Sequence, residues 1–203
     1  MIDAATDLDA RPEARTTGRR ALIATLVYAG LRIGEATALR WRDIDLANGR
    51  ISVGDSKTAA GIREVDILPA LRDELTSHRH ACADASPANL VFPTSTGSRR
   101  DNDNARERVI RPVVARAEEL LAERGQSPLP EGVTAHKLRH TFASILYVRG
   151  EDPAYVMAQV GHSDPGSALR VYAHATPRRG RQGPPRRWAR RVSNLRPLAC
   201  EAR

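Results

Sequence analysis

Apolar residues recur at the three- and four-residue spacing of a helix through most of the chain, and they alternate as in a strand in one stretch only. Leu22, Ile23, Leu26 and Val27 form one helical stripe, and others lie within 104–124 and 135–148. The alternating stretch holds two short apolar runs, at 51–53 and 62–67, on either side of a polar turn. This pattern predicts a mainly α fold with a small antiparallel β-sheet (α+β).

Capping residues indicate where several helices begin. Pro69, Thr134 and Asp152 each stand just before or at the start of a helical stripe, where a proline or a short polar side chain is favoured. A last helix is predicted to begin near Asp164 and to reach Tyr172.

The two ends of the chain differ from its middle. Residues 1–18 are acidic and lack apolar periodicity, so we expect a linker or a frayed start there. Residues 177–203 contain nine arginines and one glutamate, which accounts for the whole formal charge of +8, and we expect this basic tail to be disordered. One compact domain over 19–176 remains, of a size that can bury one core.

Composition excludes several classes of protein. No apolar run approaches the length of a membrane span, and the first residues do not resemble a secretory signal. Cys82 and Cys200 match neither a disulfide framework nor a metal motif. We therefore expect a cytoplasmic protein.

Lysine is rare in this chain. Of 32 basic residues only Lys57 and Lys137 are lysines, and Lys57 lies in or beside the turn between the two predicted strands. A lysine can give up its proton whereas an arginine does not, so a need for a titratable ammonium is one explanation, and chance is the other.

The segment HKLRH places His136 and Arg139 on one face of a helix, with His140 one turn beyond His136. The helix start at Thr134 suits an anion such as phosphate, although a solvated helix start would look the same. Two histidines four residues apart also occur in zinc proteases, but Lys137 stands where the catalytic glutamate would be. We therefore predict no metal site.

Two further segments carry candidate residues. In AGLRIGE, Arg32 follows a predicted helix end, and Glu35 lies three residues on, where it could form an ordinary surface ion pair. In GHSDPGSALRVYAH, His162 precedes a predicted helix and Tyr172 lies near its end. Each segment alone is weak support for a function.

Together and in this order, the segments resemble the tyrosine recombinase (phage integrase) family over about Arg19 to Thr176. The resemblance implies the catalytic-domain architecture of these DNA breaking-rejoining enzymes. It also implies one active site, made of Arg32, Lys57, His136, Arg139, His162 and Tyr172, with Glu35 and His140 in support.

The resemblance further implies how that site works. Tyr172 would attack a DNA phosphate and form a 3′-phosphotyrosine, and Lys57 would protonate the departing 5′-hydroxyl. Arg32 and Arg139 would hold the phosphate oxygens, a geometry that suits guanidinium groups. His162 would donate a hydrogen bond to the phosphate. Because the phosphotyrosine conserves the bond energy, no cofactor is implied.

The expected partner is double-stranded DNA, with self-association as a tetramer and helper proteins. Family members usually carry an N-terminal DNA-binding domain, so residues 1–18 are expected to be a linker or a remnant of that domain. The main alternative is therefore a fragment that binds DNA but cannot recombine it. A topoisomerase with the same chemistry is a second alternative within the class.

Overall fold

The computed structural model describes residues 1–13, 16–54 and 62–161. The helices are α1 (Ile2–Asp9), α2 (Arg19–Tyr28), α3 (Ile33–Ala38), α4 (Pro69–Ala81), α5 (Asn102–Ala105), α6 (Arg111–Glu123), α7 (Ala135–Val148) and α8 (Pro153–Val160). The strands are β1 (Ile44–Asp45), β2 (Arg50–Val53) and β3 (Arg63–Asp66). A 3-10 turn covers Trp41–Asp43, and a π-helical turn over Arg106–Ile110 joins α5 to α6.

The three strands form one antiparallel sheet in the order β1-β2-β3. Ile51 pairs with Val65 at its centre, and both side chains are fully buried. Val53 is buried on the same face, as the two-residue period of a strand requires. The predicted pair of antiparallel strands is therefore confirmed, although Ile62 lies outside β3 and is exposed.

Helix α2 lies at the centre of the core. Its stripe of Leu22, Ile23 and Leu26 is completely buried, and the helix packs against α1, α4 and α7. Leu71 and Leu75, one turn apart on α4, are fully buried as well. The apolar positions that predicted these helices are the positions that hold them together.

The expectation of a linker over residues 1–18 is wrong for its first half. Helix α1 packs against α2 and α6, and Ala4 and Ala5 are fully buried in that contact. Asp7 accepts a hydrogen bond from Arg116 Nε at 2.8 Å. Two alanines give almost no apolar periodicity in the sequence, but their small side chains let the helices approach closely. Ion pairs supply the rest of the contact.

The predicted starts of α7 and α8 are confirmed by their capping bonds. The Thr134 hydroxyl accepts from the Lys137 amide at 3.3 Å, and the Asp152 carboxylate accepts from the Ala154 amide at 2.8 Å. The helix predicted to reach Tyr172 lies outside the described residues. Among the helices that the structure describes, none is both long and apolar enough to cross a membrane.

Candidate active site

The loop after α2 turns sharply at Gly30. Its φ of +59° belongs to the left-handed region, and a Cβ there would lie 2.3 Å from Cδ1 of Phe142. Only glycine fits this approach to α7. The turn buries Leu31 and leaves Arg32 at the start of α3.

The Glu35 side chain holds both the backbone and the side chain of Arg32 at the start of α3. The Glu35 carboxylate accepts from the Arg32 backbone amide at 2.8 Å and from Arg32 Nη1 at 2.7 Å. The Arg32 side chain is 46% exposed, whereas that of Glu35 is only 6% exposed. A buried carboxylate therefore orients a guanidinium that solvent, or a ligand, can reach.

A second arginine holds the same carboxylate from the other side. Arg63, at the start of β3, donates to Glu35 through Nη1 at 3.2 Å and through Nη2 at 3.0 Å. Its Nε donates to the backbone carbonyl of Gln159 at 2.9 Å. None of the sequence motifs described above contains Arg63.

A signal for Arg63 was present in the sequence. Alternate residues of a strand point to the same face, and Arg63 is two residues before the buried Val65. An arginine on the inner face of a strand needs a buried partner that accepts its hydrogen bonds, such as a carboxylate. The rule predicts such a partner but does not identify it as Glu35.

These contacts set the charge state of Glu35. Burial raises the pKa of the carboxyl, but the hydrogen bonds from Arg63 and Arg32 outweigh it and hold the pKa of Glu35 below its ordinary value. The carboxylate is thus charged at neutral pH and offsets part of the positive charge around it.

Arg139 lies on α7 and is 3% exposed. Its Nη1 donates to the Gly30 carbonyl at 2.7 Å, and its Nη2 donates to the Val160 carbonyl. Burial, followed by the charges of Arg32 and Arg63, lowers the pKa of the guanidinium to about 9. Arg139 therefore remains positive at neutral pH.

The C-terminal end of α8 brings the three arginines together. Successive backbone carbonyls there each accept a hydrogen bond from a different guanidinium. The pairs are Arg63 with Gln159, Arg139 with Val160, and Arg32 with Gly161. Such carbonyls have no partner within their own helix and carry partial negative charge, so cations are favoured here.

Three guanidinium groups around one carboxylate leave a net charge of +2 in this cluster, which we call the arginine cluster (Arg32, Arg63, Arg139 and Glu35). Its donors are held in place before any ligand arrives. Fixed donors of this kind stabilise negative charge on a phosphate better than mobile ones, because they need no reorganisation.

His136 and His140 pair with each other one turn apart on α7. Their Nε2 atoms lie 2.9 Å apart, so one ring donates and the other accepts. Burial, followed by the charges of His136 and Arg139, lowers the pKa of His140. The Lys137 side chain donates to the Glu131 carbonyl instead of joining the pair.

The structure thus brings Arg32, Glu35 and Arg139 together and places the two histidines on the same helix as Arg139. Lys57, His162 and Tyr172 lie outside the described residues, and their roles stay predictions. Within the described ranges, no group of three or more His, Cys, Asp or Glu side chains could hold a metal ion.

Comparison with known proteins identifies relatives of this chain. Tyrosine recombinase XerA of Thermococcus kodakarensis is 35% identical over 162 residues, which cover 79% of this chain and 52% of that protein. Prophage integrase IntR of Escherichia coli is 28% identical over 167 residues, which cover 72% of this chain and 40% of that protein. The chain spans about half the length of the curated relatives that it matches.

Solved structures confirm the predicted catalytic-domain architecture. The Tn1549 transposon integrase, solved in complex with transposon right end DNA, matches with a TM-score of 0.68 and 24% identity over 86% of this chain and 59% of that one. A crystal structure of XerA recombinase matches with a TM-score of 0.60 and 27% identity over 87% of this chain and 64% of that one. The sequence model of the phage integrase family matches residues 3–179, and the chain therefore belongs to the phage integrase family.

Proposed function

We propose that this chain cuts and rejoins double-stranded DNA in site-specific recombination or integration, through a 3′-phosphotyrosine at Tyr172. The observation that carries the proposal is the arginine cluster, in a chain that belongs to the phage integrase family. Arg32 is the exposed member of that cluster and would meet the phosphate first.

The proposed reaction has two steps. The Tyr172 oxygen attacks the phosphorus while its phenol passes a proton to water, and the bond to the 5′-oxygen breaks. Lys57 gives that oxygen a proton, so a 5′-hydroxyl leaves. A 5′-hydroxyl of another strand then attacks the phosphotyrosine and returns a proton to Lys57, while the tyrosine oxygen leaves and takes a proton from water, which restores the phosphodiester and the tyrosine.

The transition state of each step carries more negative charge on the phosphate oxygens than the ground state does. Guanidinium groups can donate two parallel hydrogen bonds to such oxygens. Arg32 and Arg139 would supply this contact, with His136 and His162 as further donors, and His140 would orient His136 through their Nε2 contact.

The proposed function also includes binding partners for this chain. Several neighbours in structure were solved with DNA, among them the Tn1549 integrase with transposon right end DNA and XerH recombinase with its difH substrate. We propose double-stranded DNA as the partner of this chain, with self-association as a tetramer on the DNA and helper proteins. A chain with these partners would act in the cytoplasm, beside the chromosome.

The proposed catalytic domain, 19–176, should be extended to include α1, because that helix packs against α2 and α6. The family model, which matches residues 3–179, supports the same extension.

The basic tail, 177–203, would add nonspecific phosphate contacts. Deleting it should then reduce the salt dependence of DNA binding.

Covalent capture tests the proposal. The protein is incubated with a pool of nicked duplexes, denatured and digested, and DNA-linked peptides are mapped by mass spectrometry. An adduct on Tyr172 that is lost in Tyr172→Phe supports the reaction. DNA binding without any adduct would instead favour the alternative, a fragment that binds DNA but cannot recombine it.

A further inference from the structure

We propose that Arg63 is a positioning residue of this active site, which acts through Glu35 and the end of α8 to fix Arg32 in place. This inference rests on the proposed function, and it adds a residue that the family motifs quoted above do not contain. Arg63 makes no contact with the phosphate in this scheme.

The contacts of Arg63 join three separate elements. The residue begins β3, its two terminal nitrogens hold the Glu35 carboxylate of α3, and its Nε holds the Gln159 carbonyl of α8. Each of those two partners leads to Arg32. Glu35 accepts from Arg32 directly, and the carbonyl of Gly161, two residues after Gln159, accepts from Arg32 Nη2 at 3.1 Å.

The same contacts also involve residues that are close in sequence to Lys57 and His162, two further residues of the proposed site. Arg63 lies six residues after Lys57 along the chain, and Gly161 immediately precedes His162. Arg63 therefore links Arg32 to the described residues that lie nearest in sequence to Lys57 and to His162. A shift at any of these points would misplace several groups at once, and a misplacement of about 1 Å can cost on the order of 100-fold in rate.

The chemistry of the contacts requires arginine. Among the contacts of Arg63 with described residues, three hydrogen bonds leave its planar guanidinium in two directions, toward a carboxylate and toward a carbonyl. A lysine has the charge, but its single nitrogen cannot reach both acceptors in the same way. The side chain is 7% exposed, so water cannot readily replace a lost partner.

Gly161 is fitted to this guanidinium. Its φ is +64°, and a Cβ there would lie 2.9 Å from Cδ and 3.0 Å from Nε of Arg63. The absence of a side chain at 161 thus lets Arg63 pass close to the end of α8.

The test compares Arg63→Met and Arg63→Lys with a matched control, Arg20→Met. Arg20 forms a similar two-bond ion pair between elements, to Glu74 of α4, but touches no member of the arginine cluster. Two quantities are measured on nicked duplexes: the Kd for DNA and the single-turnover rate of adduct formation at saturating DNA. Thermal unfolding gives the folded fraction, and rates are expressed per folded molecule.

We expect Arg63→Met to slow adduct formation by about 10- to 100-fold with a Kd within about threefold of wild type. Arg63→Lys should remain slow, and Arg20→Met should lower Tm without changing the rate. A wild-type rate in Arg63→Met or in Arg63→Lys would overturn the proposal. So would an equal loss of rate in Arg20→Met.

A double variant separates positioning from general damage. If Arg63 acts through Glu35, then adding Arg63→Met to Glu35→Gln should slow the reaction little further. Fully multiplicative losses would contradict that route.

A measurement without DNA separates this proposal from the proposed function. Hydrogen exchange of the amides of α3 and of the last turn of α8 should accelerate in Arg63→Met but not in Arg20→Met. If the wild type forms no adduct, the proposed function fails, and exchange alone then decides the positioning role. Unchanged exchange in Arg63→Met would refute it.

Discussion

Replacing Glu35 by glutamine should remove a large part of the stability that the arginine cluster provides. Each carboxylate oxygen accepts two hydrogen bonds: Oε1 from Nη1 of Arg32 and of Arg63, and Oε2 from the Arg32 amide and from Arg63 Nη2. Glutamine has one oxygen and one NH₂ group. Whichever way the amide points, two donors of the arginines face another donor.

The size of the effect follows from that count. Hydrogen bonds to charged groups contribute about 1.5–3 kcal/mol each, and removing one partner of a buried ion pair costs about 3–5 kcal/mol. The two estimates agree on a loss of about 3–5 kcal/mol in the free energy of unfolding at pH 7. For a chain of 203 residues this corresponds to a fall in Tm of about 6–20 °C.

The loss should also depend on pH in a defined direction. The pKa of Glu35 is lowered in the folded protein from its ordinary value of 4.5. Its contribution is therefore complete above that value and is lost as the pH falls from there through the lowered pKa. The difference between wild type and Glu35→Gln should be constant near neutrality and should shrink below about pH 4.5.

Urea unfolding at pH 7 and at a series of pH values down to 3 measures both effects. Glu107→Gln is a suitable control, since Glu107 pairs with Arg111 on an exposed helix face and should contribute little. If Glu35→Gln unfolds with the same free energy as wild type, or if the difference does not change with pH, the role given to the carboxylate is wrong.

Three further changes have expected results. Gly161→Ala should destabilise the protein by about 1–3 kcal/mol in urea unfolding, since its φ is positive and the new Cβ meets Arg63; no loss would contradict that fit. Arg139→Lys should slow adduct formation on the order of 100-fold at saturating DNA, because lysine keeps the charge but lacks the two terminal nitrogens of the guanidinium. An unchanged rate would count against the proposed site. Tyr155→Phe loses the 2.7 Å bond to Asp66, which costs about 1.5–3 kcal/mol at neutral pH. Burial and that bond raise the pKa of Tyr155, so the wild-type advantage should decline above about pH 10, and thermal melts at pH 7 and 10.5 would check this.

Much of the fold could be predicted from local patterns. The stripe at Leu22, Ile23 and Leu26, and the caps at Thr134 and Asp152, are local features, and each predicts a helix that the structure has. Helix α1 could not be found this way, because its buried face consists mainly of alanines and its ion pairs join residues as distant as Asp7 and Arg116.

The candidate site likewise contains residues that local patterns predict and residues that they do not. Arg32, Glu35 and Arg139 belong to short motifs, and the structure places them in one cluster. Arg63 and the carbonyls at the end of α8 belong to no motif, since a backbone carbonyl is the same in every residue. Only the packing of distant elements brings them to the arginines.

The end of α8 also has a consequence for the order in which the molecule folds. The three arginines that donate to its carbonyls are separated from their acceptors by 129, 96 and 21 residues along the chain. Contacts of such long sequence separation require large loops to close first, so they tend to form late. During synthesis, which starts from the N-terminus, the cluster cannot assemble before Gly161 has left the ribosome. We therefore expect a nascent or partly folded chain to lack the site, so that strand cutting is confined to molecules in which the α8 end has docked.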